Sequence, residues 1–163
     1  MNKVSIKDFD INNGEGIRVS LWVAGCPHHC YKCHNSQYWD YTVGTEFTYK
    51  DMNLIIKCLE TDISKDFSIL GGEPLAPYNI EKVTEICKEV KNKYPYKNIW
   101  IWTGYDFNNI KDKDILKYID ILIDGKYIDS LHDDNLMWRG SSNQRIIDIK
   151  ESLKQNKVVL YDV

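Results

Sequence analysis

The chain has 163 residues, which suits one domain and is marginal for two. Hydrophobic residues make up 43%, with five Trp and eleven Tyr, so a real core is available and a disordered chain is excluded. Lys plus Arg number 21 and Asp plus Glu 24, a net charge of -3 that lacks the basic footprint of a nucleic-acid binder.

The N-terminus "MNKVSIKDFD" has no apolar signal core, and no run of about 20 apolar residues would span a membrane. A cytoplasmic location is therefore expected. No internal repeat, low-complexity tract or linker divides the chain, so a single domain over 1–163 is expected. "GIRVSLWVAG" (16–25) reads as a strand, and a cysteine-rich loop follows it. "TYKDMNLIIKCLE" (48–60) starts with Thr48 and Asp51 at capping-box spacing, then repeats apolar residues at helical spacing. "FSIL" (67–70) is a short strand that ends in a double glycine. "NIEKVTEICKEVKNKY" (79–94) is an amphipathic helix, with Asn79 placed to cap it and Pro95 to stop it. "NIWIW" (98–102) is a strand, with Trp100 and Trp102 on one face as core residues. A short helix is expected over 112–119 and a strand over 120–124. Further strands are expected over 144–149 and 157–163, with a helical turn between them.

Alternating strands and helices imply parallel strands with right-handed crossovers. A closed eight-unit barrel needs about 250 residues. The expected fold is therefore α/β: an open, partial (β/α) barrel, mostly parallel, of about five or six strands and shorter than a full TIM barrel. Cys26, Gly71, Thr103 and Asp124 each fall just after an expected strand. In parallel α/β folds those strand ends build the active site.

Five cysteines are an odd count, and three of them crowd into "CPHHCYKC" (26–33). That is no disulfide framework; bunched cysteines in a reducing compartment are metal ligands or catalysts. Cys58 and Cys87 sit on helix faces and read as small core residues. A structural zinc site with a histidine as fourth ligand is one reading, but no second ligand pair exists downstream. The other is a 4Fe–4S cluster bound by Cys26, Cys30 and Cys33. Three thiolates then leave one iron open to a substrate or cofactor.

The CxxxCxxC loop after a first strand resembles that of the radical S-adenosylmethionine (SAM) enzymes. "GGEP" (71–74) resembles the same family's second motif. The resemblance implies that the open iron chelates the methionine end of SAM. Gly71 and Gly72 then admit close backbone approach, and backbone groups there, with Glu73 nearby, face the ammonium. The family often has an aromatic residue before the third cysteine; here Lys32 stands there, after Tyr31. "NGEGIRVSLWVAGC" (13–26) and "CHN" (33–35) resemble the glycyl-radical-enzyme activases. "WTGY" (102–105), "LIDGKY" (122–127) and "RGSSNQRIID" (139–148) resemble the branch acting on anaerobic ribonucleoside-triphosphate reductase.

That resemblance adds Thr103 and the Asp124–Lys126 pair near SAM's carboxylate and ribose, and His34 as a further candidate contact. It does not extend to a cation site, since Trp102 stands where other activases have an acidic residue. His28 and His29 read as exposed residues that shape the loop, and His132 carries no clear role. The implied partners are the glycyl-radical subunit of the reductase and a one-electron donor such as a flavodoxin, with no nucleic acid and no membrane. The rival readings are a radical SAM enzyme acting on a small molecule and a zinc-binding interaction module.

Overall fold

The structure is a computed structural model and describes residues 1–162. Its strands are β1 (Asn2–Asp10), β2 (Ile17–Val23), β3 (Thr45–Glu46), β4 (Lys65–Gly71), β5 (Ile99–Trp102), β6 (Ile121–Asp124) and β7 (Arg145–Asp148). Its helices are α1 (Tyr49–Glu60), α2 (Ile80–Lys93), α3 (Phe107–Ile110) and α4 (Ile149–Gln155). The strands form one seven-stranded sheet in the order β3-β1-β2-β4-β5-β6-β7. β2, β4, β5 and β6 are parallel neighbours. The edges β3 and β7 do not meet, so the barrel is open, as expected.

Strand alternation sorts the side chains onto two faces. On one, Val19, Leu21, Val23, Phe67, Ile69, Ile99, Ile101 and Leu122 are buried beneath the helices. α1 contributes Met52, Ile55, Ile56, Cys58 and Leu59, and α2 contributes Val83, Ile86, Cys87 and Val90. Cys58 and Cys87 are thus core residues. The Asp51 carboxylate accepts from the Thr48 amide and hydroxyl at 2.8 and 2.9 Å, which fixes the start of α1.

The opposite face carries a smaller cluster of Trp100, Ile121, Ile123 and Ile146, with Trp102, Trp138 and Tyr161 against it. Below this cluster Arg18 is almost wholly buried and lies 5.1 Å from the centre of the Trp100 ring. Its guanidinium donates to the Ser68 hydroxyl and to the carbonyls of Glu15, Phe67 and Asn98. Burial pulls its pKa down to about 10, which still leaves it charged at neutral pH. The open barrel is therefore floored by a satisfied cation, and its hollow opens at the other end.

Several elements differ from expectation: the helix expected over 112–119 is only a 3-10 turn over Asp114–Lys117, and β3 and α3 are not among the expected elements. β1, which the sequence reading passed over, pairs antiparallel with β2. β7 runs antiparallel to β6, because the connection between them contains a single 3-10 turn (Asp129–Leu131) and no crossover helix. The tail after α4 is no strand: it makes one bridge, Ile147 to Leu160, and Val163 lies outside the described residues. The Asn79 side chain does not cap α2; it donates to the carbonyls of Ala24 and Glu73 at 2.9 and 3.0 Å. Those bonds tie the end of β2 to the end of β4.

Candidate functional site

Parallel register brings the strand ends level: Val23 pairs with Gly71, Ile69 with Ile101, and Trp102 with Ile123. A cavity of about 400 Å³ opens there. Cys26, Cys30, Cys33, Gly71, Gly72, Glu73, Thr103 and His34 all line it.

The cysteine loop is closed at its base by two backbone bonds. Gly25 N donates to Tyr38 O at 2.7 Å, and Cys26 N to Trp39 O at 2.9 Å. His29 and Lys32 adopt left-handed backbone, with φ of 49° and 56°, which curls the chain so that all three thiols reach the cavity. His29 stacks on Trp39 with ring centres 4.6 Å apart. Lys32 reaches across to Asp129 at 3.0 Å. Among the described residues no three His, Cys, Asp or Glu side chains converge as ligands of a single metal ion. Three free thiols lining one cavity suit a group with several metal atoms, each thiolate taking its own iron. Burial pushes the Cys26 thiol up to about 11 and raises that of Cys30. Binding a metal must therefore displace their protons.

Glu73 organises the rest. It is 1% exposed, and its oxygens accept from four groups. Oε1 accepts from Leu75 N at 2.9 Å and the Thr103 hydroxyl at 2.7 Å. Oε2 accepts from Gly104 N at 2.7 Å and lies 2.8 Å from His28 Nε2. An ionised carboxylate only accepts, so His28 carries a hydrogen on Nε2. One carboxylate thus joins the cysteine loop, the loop after β4 and the loop after β5. His28 is not the exposed residue its loop position suggested: its side chain is 7% exposed and packs edge-on to Tyr105.

Two glycines make this fit possible. A Cβ on Gly72 would lie 2.5 Å from the Gly25 carbonyl oxygen, at the stem of the cysteine loop. A Cβ on Gly104 would lie 2.3 Å from His28 Cδ2. Gly104→Ala should therefore push His28 off Glu73 and destabilise the protein by about 1–3 kcal/mol. The loss should shrink when His28 is already alanine, because the clash is then gone. Urea unfolding of the two single variants and the double variant measures this coupling. Equal losses in both backgrounds would contradict it.

The β6 residues sit differently. Asp124 is 1% exposed, does not line the cavity, and accepts from Phe107 N at 2.8 Å, at the start of α3. Both its oxygens also accept from Arg145. Lys126 is exposed and lines a neighbouring cleft of about 950 Å³, which shares His28, Gly104 and Gly125 with the main cavity. His34 lies 6.0 Å, ring centre to ring centre, from both Tyr127 and His132. Trp102 is more than core: it lines the cavity, and its Nε1 donates to Trp138 O at 2.7 Å. Sequence reasoning gave no role to Arg139, Gln144 or Tyr127, which also line the cavity. The signal for Arg139 and Gln144 lay in the "RGSSNQR" segment and that for Tyr127 in "LIDGKY", both recognised as patterns but not resolved into side chains.

These features define a single-cluster iron–sulfur domain on an open α/β barrel. A family model described as "4Fe-4S single cluster domain" matches residues 12–147. The anaerobic ribonucleoside-triphosphate reductase-activating protein of Enterobacteria phage T4 is 41% identical over 146 residues, 90% of this chain and 93% of the relative. The protein of that name from Haemophilus influenzae is 39% identical over 150 residues, 90% of this chain and 97% of the relative. That from Escherichia coli K12 is 38% identical over 148 residues, 88% of this chain and 96% of the relative. The chain belongs to the family of anaerobic ribonucleoside-triphosphate reductase-activating proteins.

Proposed function

We propose that this chain activates an anaerobic ribonucleoside-triphosphate reductase by generating a glycyl radical on it. The observation that carries this is the set of three thiols with no disulfide partner, lining one cavity with the Gly71–Gly72–Glu73 turn, in a chain that matches whole activating proteins. Cys26, Cys30 and Cys33 hold a 4Fe–4S cluster. When bound, that cluster and SAM together supply a one-electron cleavage giving methionine and a 5′-deoxyadenosyl radical that takes hydrogen from a glycine Cα.

The chain's own residues bind, orient and exclude water. Gly71 and Gly72 bring backbone against the ligand, and Thr103 and Glu73 fix the loops around it. Asp124 pins the β6 loop through Arg145 and Phe107 N, and Lys126 stands in the adjoining cleft. Trp22, Leu70, Trp102 and Trp138 give the cavity apolar walls that keep water from a radical. His34 sits beside the cluster loop as a further contact. The electron comes from an external donor such as a flavodoxin. The work is done in the cytoplasm; among the described residues no helix is long and apolar enough to cross a membrane.

The test mixes the anaerobically reconstituted protein, SAM and reductant with the cognate reductase. A glycyl radical doublet should appear on the reductase in the paramagnetic resonance spectrum and vanish when the partner's radical glycine is alanine. SAM cleavage that depends on a small molecule, with no doublet on the reductase, would replace this reading with the small-molecule enzyme.

A further inference from the structure

The segment after β6 carries two arginines with opposite situations. Arg145 is paired: its guanidinium holds both oxygens of Asp124. Arg139 is not. Its Nη1 donates to the Gln144 carbonyl at 2.9 Å, its Nε is buried with no partner, and no acidic group pairs with it among the described residues. The open side of the guanidinium is therefore the Nε–Nη2 edge, one of the forks that meets a carboxylate with two parallel hydrogen bonds. A buried donor left without an acceptor costs about 1–3 kcal/mol, so its persistence here points to an absent acceptor.

Arg139 is also firmly presented. Trp138 before it has left-handed backbone, with φ of 57°, and its carbonyl is held by Trp102 Nε1. Gln144 Oε1 accepts from Gly140 N and Ser141 N, while its Nε2 donates to Gly125 O at the end of β6. The guanidinium is thus locked to β5 and β6 and lines the same cavity as the three thiols. No lysine lines that cavity, and Lys126 faces the neighbouring cleft.

We infer that Arg139 is the carboxylate receptor of the cavity and that its ligand is the α-carboxylate of SAM's methionine end. This rests on the radical SAM reading above. It moves to Arg139 the charge-neutralising role that the family resemblance gave to Lys126. Anion recognition then comes from a rigid fork, which rejects a ligand that lacks the carboxylate.

The experiment uses the cluster-loaded full chain and titrates SAM and decarboxylated SAM by calorimetry without air. The decarboxylated compound keeps the adenosine, sulfonium and amine. Wild type should prefer SAM by more than the roughly tenfold to hundredfold of a charge-assisted pair, because the cluster's open iron would also hold the carboxylate. Arg139→Gln should lower that preference by about tenfold to hundredfold, leaving the part that the cluster's open iron would contribute, and Arg139→Lys should restore part of it. Because the preference is a ratio within one variant, general damage to the fold or to cluster loading cancels. Lys126→Gln should keep most of it. An unchanged preference in Arg139→Gln, or a collapse in Lys126→Gln alone, would overturn the assignment and leave the radical SAM reading standing. A wild type that binds neither compound would overturn both.

Discussion

Replacing Cys26, Cys30 or Cys33 by alanine, one at a time, should drop cluster iron to background, whereas Cys58→Ala and Cys87→Ala should retain it. The two sets differ in what surrounds the sulfur. Cys58 and Cys87 are packed in the core under the sheet, and burial raises both thiols. A thiolate in such a place would have neither a metal nor a path to one. The loop cysteines face the cavity, and the loop that carries them is held at its stem by Gly25 and Cys26 amides and at its far side by Lys32 to Asp129. Three ligands are the minimum that leaves one iron open, so loss of any one leaves two thiolates and a cluster exposed to loss of iron. Iron and sulfide analysis, with the cluster's visible absorption, measures this on protein kept free of oxygen. Full iron retention in any loop variant would contradict the ligand assignment. A zinc-bearing, colourless wild type would restore the interaction-module reading.

The parallel centre of the fold was legible because β5 and β6 are nearly continuous apolar runs, β2 and β4 each keep one apolar face, both long helices have clear stripes, and α1 opens with a capping box. β1 was not, since "NKVSIKDFD" sets Val4 and Ile6 among lysines and acids and none of residues 2–9 is fully buried. Its pairing with β2 comes from the sheet, not from local pattern. β7 reads as a strand in "RIID", but its direction depends on a connection that lacks a crossover helix.

The site divides the same way. The cysteine spacing and the double glycine are contiguous signals, and register alone brings them together. The partners of Glu73 are distant in sequence: His28 is 45 residues away and Thr103 is 30. No local rule announces that a histidine between two cysteines will turn inward. Asp124 shows the converse, because the "DGK" pattern does not reveal that Arg145, 21 residues on, donates to both carboxylate oxygens. Spacing identifies which residues stand at a strand end; it does not tell which of their atoms are already engaged.

That distinction makes Glu73 the most informative single residue. Glu73→Gln should destabilise the protein before any cluster or SAM is added. All four groups around the carboxylate are donors: Leu75 N, the Thr103 hydroxyl, Gly104 N and His28 Nε2. An amide puts two hydrogens where one oxygen accepted. With its NH₂ at the Oε1 position it faces Leu75 N and the Thr103 hydroxyl; at the Oε2 position it faces Gly104 N and His28. His28 can shift its hydrogen to Nδ1 and accept, and the Thr103 hydroxyl can rotate, but a backbone N–H can do neither. One buried amide hydrogen is therefore left against another in either orientation. With about 1–3 kcal/mol for each buried group left unpaired, Glu73→Gln should lose about 2–4 kcal/mol and Glu73→Ala somewhat more. His28→Ala removes one of the four partners and should cost less than either. Urea unfolding of the cluster-free proteins reads these losses in the midpoint, with the slope unchanged. A carboxylate that served chiefly as a ligand group, with an oxygen left free for an ammonium, would behave otherwise. Its glutamine variant would unfold like wild type and lose affinity for SAM alone, and that outcome would reject the organising role given to Glu73 here.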